Sequence, residues 1–161
     1  MSDAKLSEVI EPPERAPIKM RVQETIILRV VGKSLTPFVI LFALYVQFHG
    51  DYGPGGGFQA GVICAAGLIL HGLIFGLDEL RESLPLVVIE LGVAFGALLY
   101  GGVGIASMLL GGSFLNYGVF DSHHPTHGQH LGILLIELGV GITVTFVMLG
   151  IFYSFAGRSK R

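Results

Sequence analysis

Four long apolar segments alternate with short polar connections along most of the chain. They cover residues 30–48, 58–77, 85–111 and 131–155. Each is close to or above the length of about 20 mostly apolar residues that a helix needs to cross a bilayer. The pattern predicts an all-α integral membrane protein with four transmembrane helices, and a membrane domain over residues 30–155.

The two ends of the chain are polar and differ from each other. Residues 1–17 contain three prolines and lack the basic-then-apolar order of a secretory signal, so we expect a flexible cytoplasmic tail. Residues 18–29 alternate charged and aliphatic side chains at helical spacing. This segment is either an amphipathic piece at the membrane surface or the first turns of the first helix. Residues 156–161 form a short basic tail.

Composition supports the membrane class. The chain is 52% hydrophobic and only 14% charged, with a mean hydropathy of +0.70, whereas soluble domains carry about 25% charged residues. A net charge of −2 gives no basic surface for nucleic acid. The single cysteine, Cys64, lies in an apolar segment and has no second cysteine in the chain with which to form a disulfide.

The basic residues predict the orientation of the spans. All ten lysines and arginines lie in the N-terminal region through Lys33, at Arg81, or from Arg158 to the end. Four spans place these three regions on one side of the membrane. The positive-inside rule then puts both termini in the cytoplasm of a multi-pass protein of the cell membrane.

The stretch "HGDYGPGGGFQAG", residues 49–61, separates the first two spans. Unpaired backbone groups cannot sit in hydrocarbon, so this loop must lie at the outer interface or against protein. Glycine permits positive φ angles and close backbone approach. We therefore expect a structural loop that another chain can approach closely. Its loose match to a dinucleotide fingerprint is rejected, because no strand precedes it.

Two glutamates lie inside predicted spans, each within a copy of "IELGV". Counted from the predicted helix ends, Glu90 lies about 8 Å from the inner boundary and Glu137 about 9 Å from the outer one. His71 lies about 10 Å from the inner boundary, at the level of Glu90, on what we expect to be a hairpin of the second and third spans. A charged side chain at the bilayer centre costs about 2.5–3.5 kcal/mol on insertion scales.

Glu90, Glu137 and His71 are therefore candidates for a proton or ion path. The alternative is structural: a buried glutamate that holds helices or subunits together, and a histidine that serves packing. The sequence leaves both interpretations open.

A third polar region holds four histidines, in "DSHHPTHGQH" at residues 121–130. It has no cysteine and no clear helical pair of histidines, so we expect a polar outer loop and no metal site. No cofactor motif and no nucleophile–histidine–acid arrangement is recognisable, so the chain is not expected to be an enzyme.

Two stretches together resemble the MnhB/MrpB family, a membrane component of the Mrp-type multisubunit sodium/proton antiporters. They are "HGDYGPGGGFQAGVICAAGLIL" and "HLGILLIELGVGITVTFVMLGIF", and the resemblance extends over about residues 30–155. It implies a four-helix accessory subunit of a larger hetero-oligomer, in which other, larger subunits carry much of the ion path. The matching motif residues are Pro54, Gly55, Gly56, Gly57 and Phe58 in the loop, and Glu137 in the last helix.

The expected partners are therefore the other subunits of an antiporter complex, the lipid bilayer, and protons with Na⁺ or another monovalent cation. Two alternatives remain. The same module serves in hydrogenase-type redox complexes that pump ions. A small self-assembling exporter is also conceivable, although the first span has no acidic residue and the chain has no tryptophan.

Overall fold

The computed structural model describes residues 26–50, 53–121 and 124–158, and these are almost entirely helical. The helices are α1 (Ile26–His49), α2 (Gly57–Phe75), α3 (Leu77–Ser83), α4 (Leu86–Leu109) and α5 (Pro125–Arg158), with a short 3-10 helix (Tyr117–Phe120) before α5. Within the described residues, α1, α2, α4 and α5 are long and apolar enough to cross a membrane. The predicted all-α fold with four spans is confirmed. The predicted tail over residues 1–17 lies outside the described residues.

Two helices begin earlier than the hydrophobic pattern indicates. α1 starts at Ile26, so residues 26–29 form the first turn of this helix, in line with the second of the two alternatives for residues 18–29, while residues 18–25 lie outside the described residues. α5 starts at Pro125, six residues before the apolar segment. Its 34 residues correspond to about 51 Å, longer than the hydrocarbon thickness of about 30 Å. α5 is therefore longer than one perpendicular crossing of the hydrocarbon layer requires.

The connection between the second and third spans is itself helical. Gly76, with φ +110°, ends α2 and allows α3 to turn away. α3 is short, and its residue Leu80 is buried against the ends of the other helices. The Tyr153 hydroxyl of α5 lies 2.9 Å from the Leu84 carbonyl and 3.2 Å from the Leu80 carbonyl. This contact fixes α3 across the end of α5.

The spans pack in the spatial order α1, α2, α5, α4, so the long last helix lies between α2 and α4. The expectation that the second and third spans pack together as a hairpin is therefore wrong. The physical reason is that both α2 and α4 present glycines to α5, which allows close contact with its backbone. A Cβ atom on Gly61 of α2 would lie 2.6 Å from the Gly141 carbonyl oxygen, and one on Gly96 of α4 would lie 2.8 Å from the Gly139 carbonyl oxygen. Backbones approach this closely in lipid only at small residues.

The outer faces of the two peripheral helices remain apolar and uncovered. α1 buries only one stripe of small and polar residues: Gly32, Thr36, Ala43 and Gln47. Phe38 of α1 and Leu98 of α4 are 68% and 72% exposed. These two faces are available to lipid or to other subunits.

One end of the bundle carries the buried core and the basic side chains. Leu80, Ile89, Leu149 and Tyr153 form the core cluster. The Arg81 guanidinium lies 5.5 Å from the centre of the Tyr153 ring. At the same end, the Arg29 guanidinium of α1 lies 5.7 Å from the centre of the Phe75 ring.

Candidate ion-path site

The glycine-rich loop between α1 and α2 folds against Glu137 of α5. A Cβ atom on Gly50 would lie 2.9 Å from Glu137 Oε2, and one on Gly56 would lie 3.1 Å from Glu137 Oε1. A Cβ atom on Gly57 would overlap the Glu137 carbonyl oxygen. The loop motif and the glutamate, found separately in the sequence, thus form one site.

The loop conformation depends on glycine at Gly56. Its φ of +119° lies in a region that residues with a side chain rarely adopt. The Gly56 N–H donates to the Val46 carbonyl of α1 at 3.4 Å, and the Gly53 N–H donates to the His49 carbonyl at 3.1 Å. These bonds hold the loop against the end of α1.

Glu137 also lies beside the N-terminus of α2, since Gly56 is the residue that precedes that helix. The unpaired N–H groups and the dipole give a helix N-terminus a partial positive charge. That charge is complementary to a carboxylate. The site can therefore hold a half-buried acid at this depth of the membrane.

A second polar residue, Gln47 of α1, lies next to α5 one helical turn from Glu137. Its Oε1 would be 2.8 Å from a Cβ atom on Gly141. The Gln47 side chain is 5% exposed, and its Nε2 finds no hydrogen-bond partner among the described residues. Sequence reasoning missed Gln47. The only feature of the sequence that could have identified it is a single amide in the otherwise apolar run "LFALYVQF".

One further turn along α5, the Thr145 hydroxyl lies 2.8 Å from the Gly141 carbonyl and 3.2 Å from the Gly61 carbonyl of α2. The Cys64 thiol of α2 interacts with this hydroxyl. Polar groups therefore continue from Glu137 past Gln47 of α1 to Thr145. Glu137, Gly141 and Thr145 lie on one face of α5 at intervals of four residues, and Gln47 packs against Gly141.

Glu90 lies apart from this site, exposed on α4. It borders a groove of about 430 Å³ between α4 and α5, whose walls include Ile89, Phe146 and Ser154. No hydrogen bond or ion pair joins its carboxyl to the described part of the chain. Glu90 thus faces outward, towards whatever covers the groove.

His71 is half-buried on α2, and its ring packs against Phe75 of the same helix with 4.4 Å between ring centres and 30° between the ring planes. α5 stands between α2 and α4. The structure does not bring His71 and Glu90 together, although depth alone suggested that they could meet.

The histidine-rich region is partly helical. His124 and His127 stack at the start of α5 with 5.5 Å between ring centres, and the His124 N–H donates to Asp121 Oδ1 at 2.9 Å. Over the residues that the structure covers, no three side chains of histidine, cysteine, aspartate or glutamate are grouped to hold a metal ion.

Four helices that are apolar enough to cross a membrane and a carboxyl packed against a glycine loop define the class: a multi-pass membrane protein with a polar site between its helices. Residues 27–150 match the family model "Domain related to MnhB subunit of Na+/H+ antiporter", and the chain belongs to this family. The resemblance seen in the sequence is confirmed.

Relatives from two staphylococci carry the same description, "Putative antiporter subunit mnhB2". The proteins of Staphylococcus haemolyticus (strain JCSC1435) and Staphylococcus aureus (strain Newman) are each 34% identical to this chain over 137 residues. Each alignment covers 84% of this chain and 96% of the relative. The similarity therefore extends over most of this chain and nearly all of each relative.

Proposed function

We propose that this chain is an accessory subunit of a multisubunit antiporter that exchanges protons for Na⁺ or another monovalent cation across the cell membrane. Membership of the MnhB family and the names of both relatives support the proposal. The observation that carries it is Glu137, enclosed by the glycine loop at the start of α2. Ionisable residues held inside a membrane protein commonly mark ion or proton pathways.

In this function the chain works as one part of a larger transport assembly. Its peripheral helices α1 and α4 each bury a single stripe and expose large apolar side chains. Glu90 adds an outward-facing carboxyl on α4, which is costly beside lipid. A partner subunit that covers α4 would bury its exposed apolar side chains. The same subunit could offer the Glu90 carboxyl a hydrogen-bond donor or a cation.

Co-purification tests this function. An affinity-tagged chain extracted in mild detergent is expected to bring down several other membrane proteins, including large antiporter-like subunits. Subunits with iron–sulfur centres among them would favour the hydrogenase-type alternative. A homo-oligomer of this chain alone would contradict the proposal and favour the exporter.

The same preparation tests the role of Glu90 through Glu90→Ala, which removes the carboxyl and its hydrogen-bonding capacity. Truncating one partner of a buried hydrogen-bonded charge pair costs about 2–5 kcal/mol, so the amount of assembled complex should fall about tenfold or more. Glu82→Ala is the control, because Glu82 is an exposed acid of α3 outside the spans. Equal recovery of the two variants would remove Glu90 from the interface between subunits.

For orientation, we propose that both termini are cytoplasmic. The basic residues Arg29, Lys33, Arg81 and Arg158 lie towards one end of the bundle, which supports this orientation.

Thiol labelling tests the orientation in a Cys64→Ala background, with cysteine introduced singly at Ser2, Ser122 and Ser159. On intact cells, an impermeant thiol reagent should label Ser122→Cys. Ser2→Cys and Ser159→Cys should react only after permeabilisation. The opposite pattern would reverse the orientation.

A further inference from the structure

A pocket of about 520 Å³ opens at the basic end of the bundle, where α3, α4 and α5 meet. Its volume falls within the range of about 300–1,000 Å³ that is typical of small-molecule sites. One basic, one hydroxyl, one aromatic and two apolar side chains form its wall: Arg81, Ser154, Tyr153, Pro85 and Leu86. The wall therefore combines a cation with apolar surface, and neither the family assignment nor the ion-path site accounts for it.

Arg81 is held in place without being neutralised by the described part of the chain. Its guanidinium lies over the Tyr153 ring, and a Cβ atom on Gly157 of α5 would lie 2.9 Å from its Nη2 atom. Within the described residues, no carboxylate or other hydrogen-bond acceptor binds this guanidinium. The acidic side chains of α3 do not border the pocket. The exposed cation is therefore available to an anion in the pocket.

The wall of the pocket fits an amphipathic occupant better than a free anion. Leu86 and its neighbour Val87 are 55% and 63% exposed at the start of α4, so apolar surface continues from the pocket onto the span. A free phosphate would use only the cation. A phospholipid with an anionic headgroup would use the cation through its phosphate and the apolar surface through its chains.

The depth of the pocket also favours a lipid headgroup. α3 joins two helices that are apolar enough to cross a membrane, so it lies close to the membrane surface. Basic pockets between transmembrane helices at the cytoplasmic surface bind the headgroups of anionic lipids. This end of the bundle is the end that we propose to be cytoplasmic.

We propose that this pocket binds the headgroup of an anionic phospholipid, whose phosphate pairs with Arg81. The Ser154 hydroxyl donates to the Gly150 carbonyl at 2.9 Å, so its oxygen can still accept a hydrogen bond. A glycerol headgroup, as in phosphatidylglycerol, carries hydroxyls that can donate that bond. The acyl chains follow the exposed apolar side chains at the start of α4.

The lipid site is separate from the carboxyl of Glu90. Glu90 lies one helical turn further along α4 than Leu86 and borders the neighbouring groove, which meets the pocket at Leu86 and Ser154. A lipid at Arg81 would therefore occupy the edge of the α4 surface, beside the partner subunit that we propose to cover Glu90. Binding of the lipid does not depend on antiport.

Photoaffinity labelling of the assembled complex tests the site. The complex is reconstituted into phosphatidylcholine nanodiscs that contain photoactivatable phosphatidylglycerol, or photoactivatable phosphatidylcholine with the same acyl chains. In both lipids the diazirine lies near the headgroup. After irradiation, mass spectrometry measures the labelled fraction of the chymotryptic peptides that contain residues 81–87 and 153–157.

We expect phosphatidylglycerol to label these peptides about fivefold more than phosphatidylcholine, the preference that one basic residue near an anionic headgroup provides. Arg81→Gln should remove this preference, whereas Arg81→Lys keeps the charge and should retain most of it. Arg29→Gln is the matched control. Arg29 lies at the same end of the bundle and also over an aromatic ring, that of Phe75, but does not border the pocket. This variant should be labelled like the wild type.

Equal labelling of the wild type by the two lipids would overturn the proposal. That comparison needs no substitution, so it decides the matter even if Arg81→Gln fails to assemble. A preference that persists in Arg81→Gln would also contradict the site. Absence of label from either lipid would show a pocket covered by a partner subunit, and loss of the lipid to excess inorganic phosphate would show a simple anion site; both results would refute the lipid site.

Antiport is measured on the same preparations, so that the two proposals are tested separately. Equal labelling by the two lipids together with normal antiport would refute this inference and leave the proposed function standing. Selective labelling without antiport would do the reverse.

Discussion

Replacing Gly57 with alanine is expected to remove most of this chain from its complex. Gly57 is buried at the start of α2, and a Cβ atom there would overlap the carbonyl oxygen of Glu137. The obstacle is helix backbone, which cannot rotate away as a side chain can. Overpacking of well-packed sites costs about 1–3 kcal/mol and occasionally more, so recovery of assembled complex should fall at least about tenfold.

Gly102→Ala is the matched control for this prediction. Gly102 is also helical, and no atom of the described chain lies within 4 Å of the position its Cβ would take. Alanine is the better helix former by about 0.8–1.0 kcal/mol, so this variant should assemble normally. Native gels of solubilised membranes, with equal expression checked by immunoblot, measure both. Normal assembly of Gly57→Ala would mean that the approach of α2 to α5 is not as close as the structure places it.

Glu137→Gln and Glu137→Ala are expected to separate the chemical role of this residue from its structural role. Glutamine keeps the size and hydrogen-bonding capacity of the side chain that packs against Gly50 and Gly56, so the complex should assemble. Alanine removes that contact and opens a gap beneath the loop. Its complex should be recovered in an amount lower by about tenfold or more, because large-to-small changes at packed sites cost about 2–5 kcal/mol.

Glu137→Gln should assemble normally but transport poorly. Glutamine cannot release or take up a proton, so antiport should fall about tenfold or more although the complex is intact. Glu82→Gln, on the exposed face of α3, should transport like the wild type. Full activity in Glu137→Gln, together with poor assembly of Glu137→Ala, would assign Glu137 a purely structural role.

The hydrophobic pattern predicted the spans well, because length and apolar content are local properties of the sequence. The ends of the helices were harder to predict from this pattern. Residues 125–130, which are mostly polar, extend α5 beyond the predicted apolar segment, since a proline at the start of a helix does not interrupt it. Gly76 ends α2, which a count of apolar residues does not reveal.

The spatial order of the helices could not be predicted from adjacency in the chain. Sequential elements often pack together, and on that basis the second and third spans were expected to form a hairpin. Instead the backbone of α5 accepts Gly61 from one side and Gly96 from the other. Nothing in the order of the segments along the chain indicates which helix each of these glycines contacts.

The site itself was predicted in pieces. The loop motif and Glu137 were each identified from sequence, while their contact depends on how α2 packs against α5. The role of Gln47 depends on its being buried without a partner among the described residues, which a single amide in an apolar run cannot indicate. Glu90 and His71 were expected to be neighbours because they lie at the same depth. Depth does not show which face of its helix a residue occupies or which helix that face contacts.

Sodium-driven proton movement in proteoliposomes is the decisive test of the proposed antiporter function and of Glu137 within it. Wild-type complex and Glu137→Gln complex, matched for subunit content, are reconstituted with a fluorescent pH indicator, and an inward or outward Na⁺ gradient is applied. We expect a rapid pH change for the wild type and little for the variant. Wild-type complex that moves no protons in response to any monovalent cation gradient would contradict the antiporter function, and a Glu137→Ala complex that assembles and exchanges at the wild-type rate would contradict the role assigned to this site.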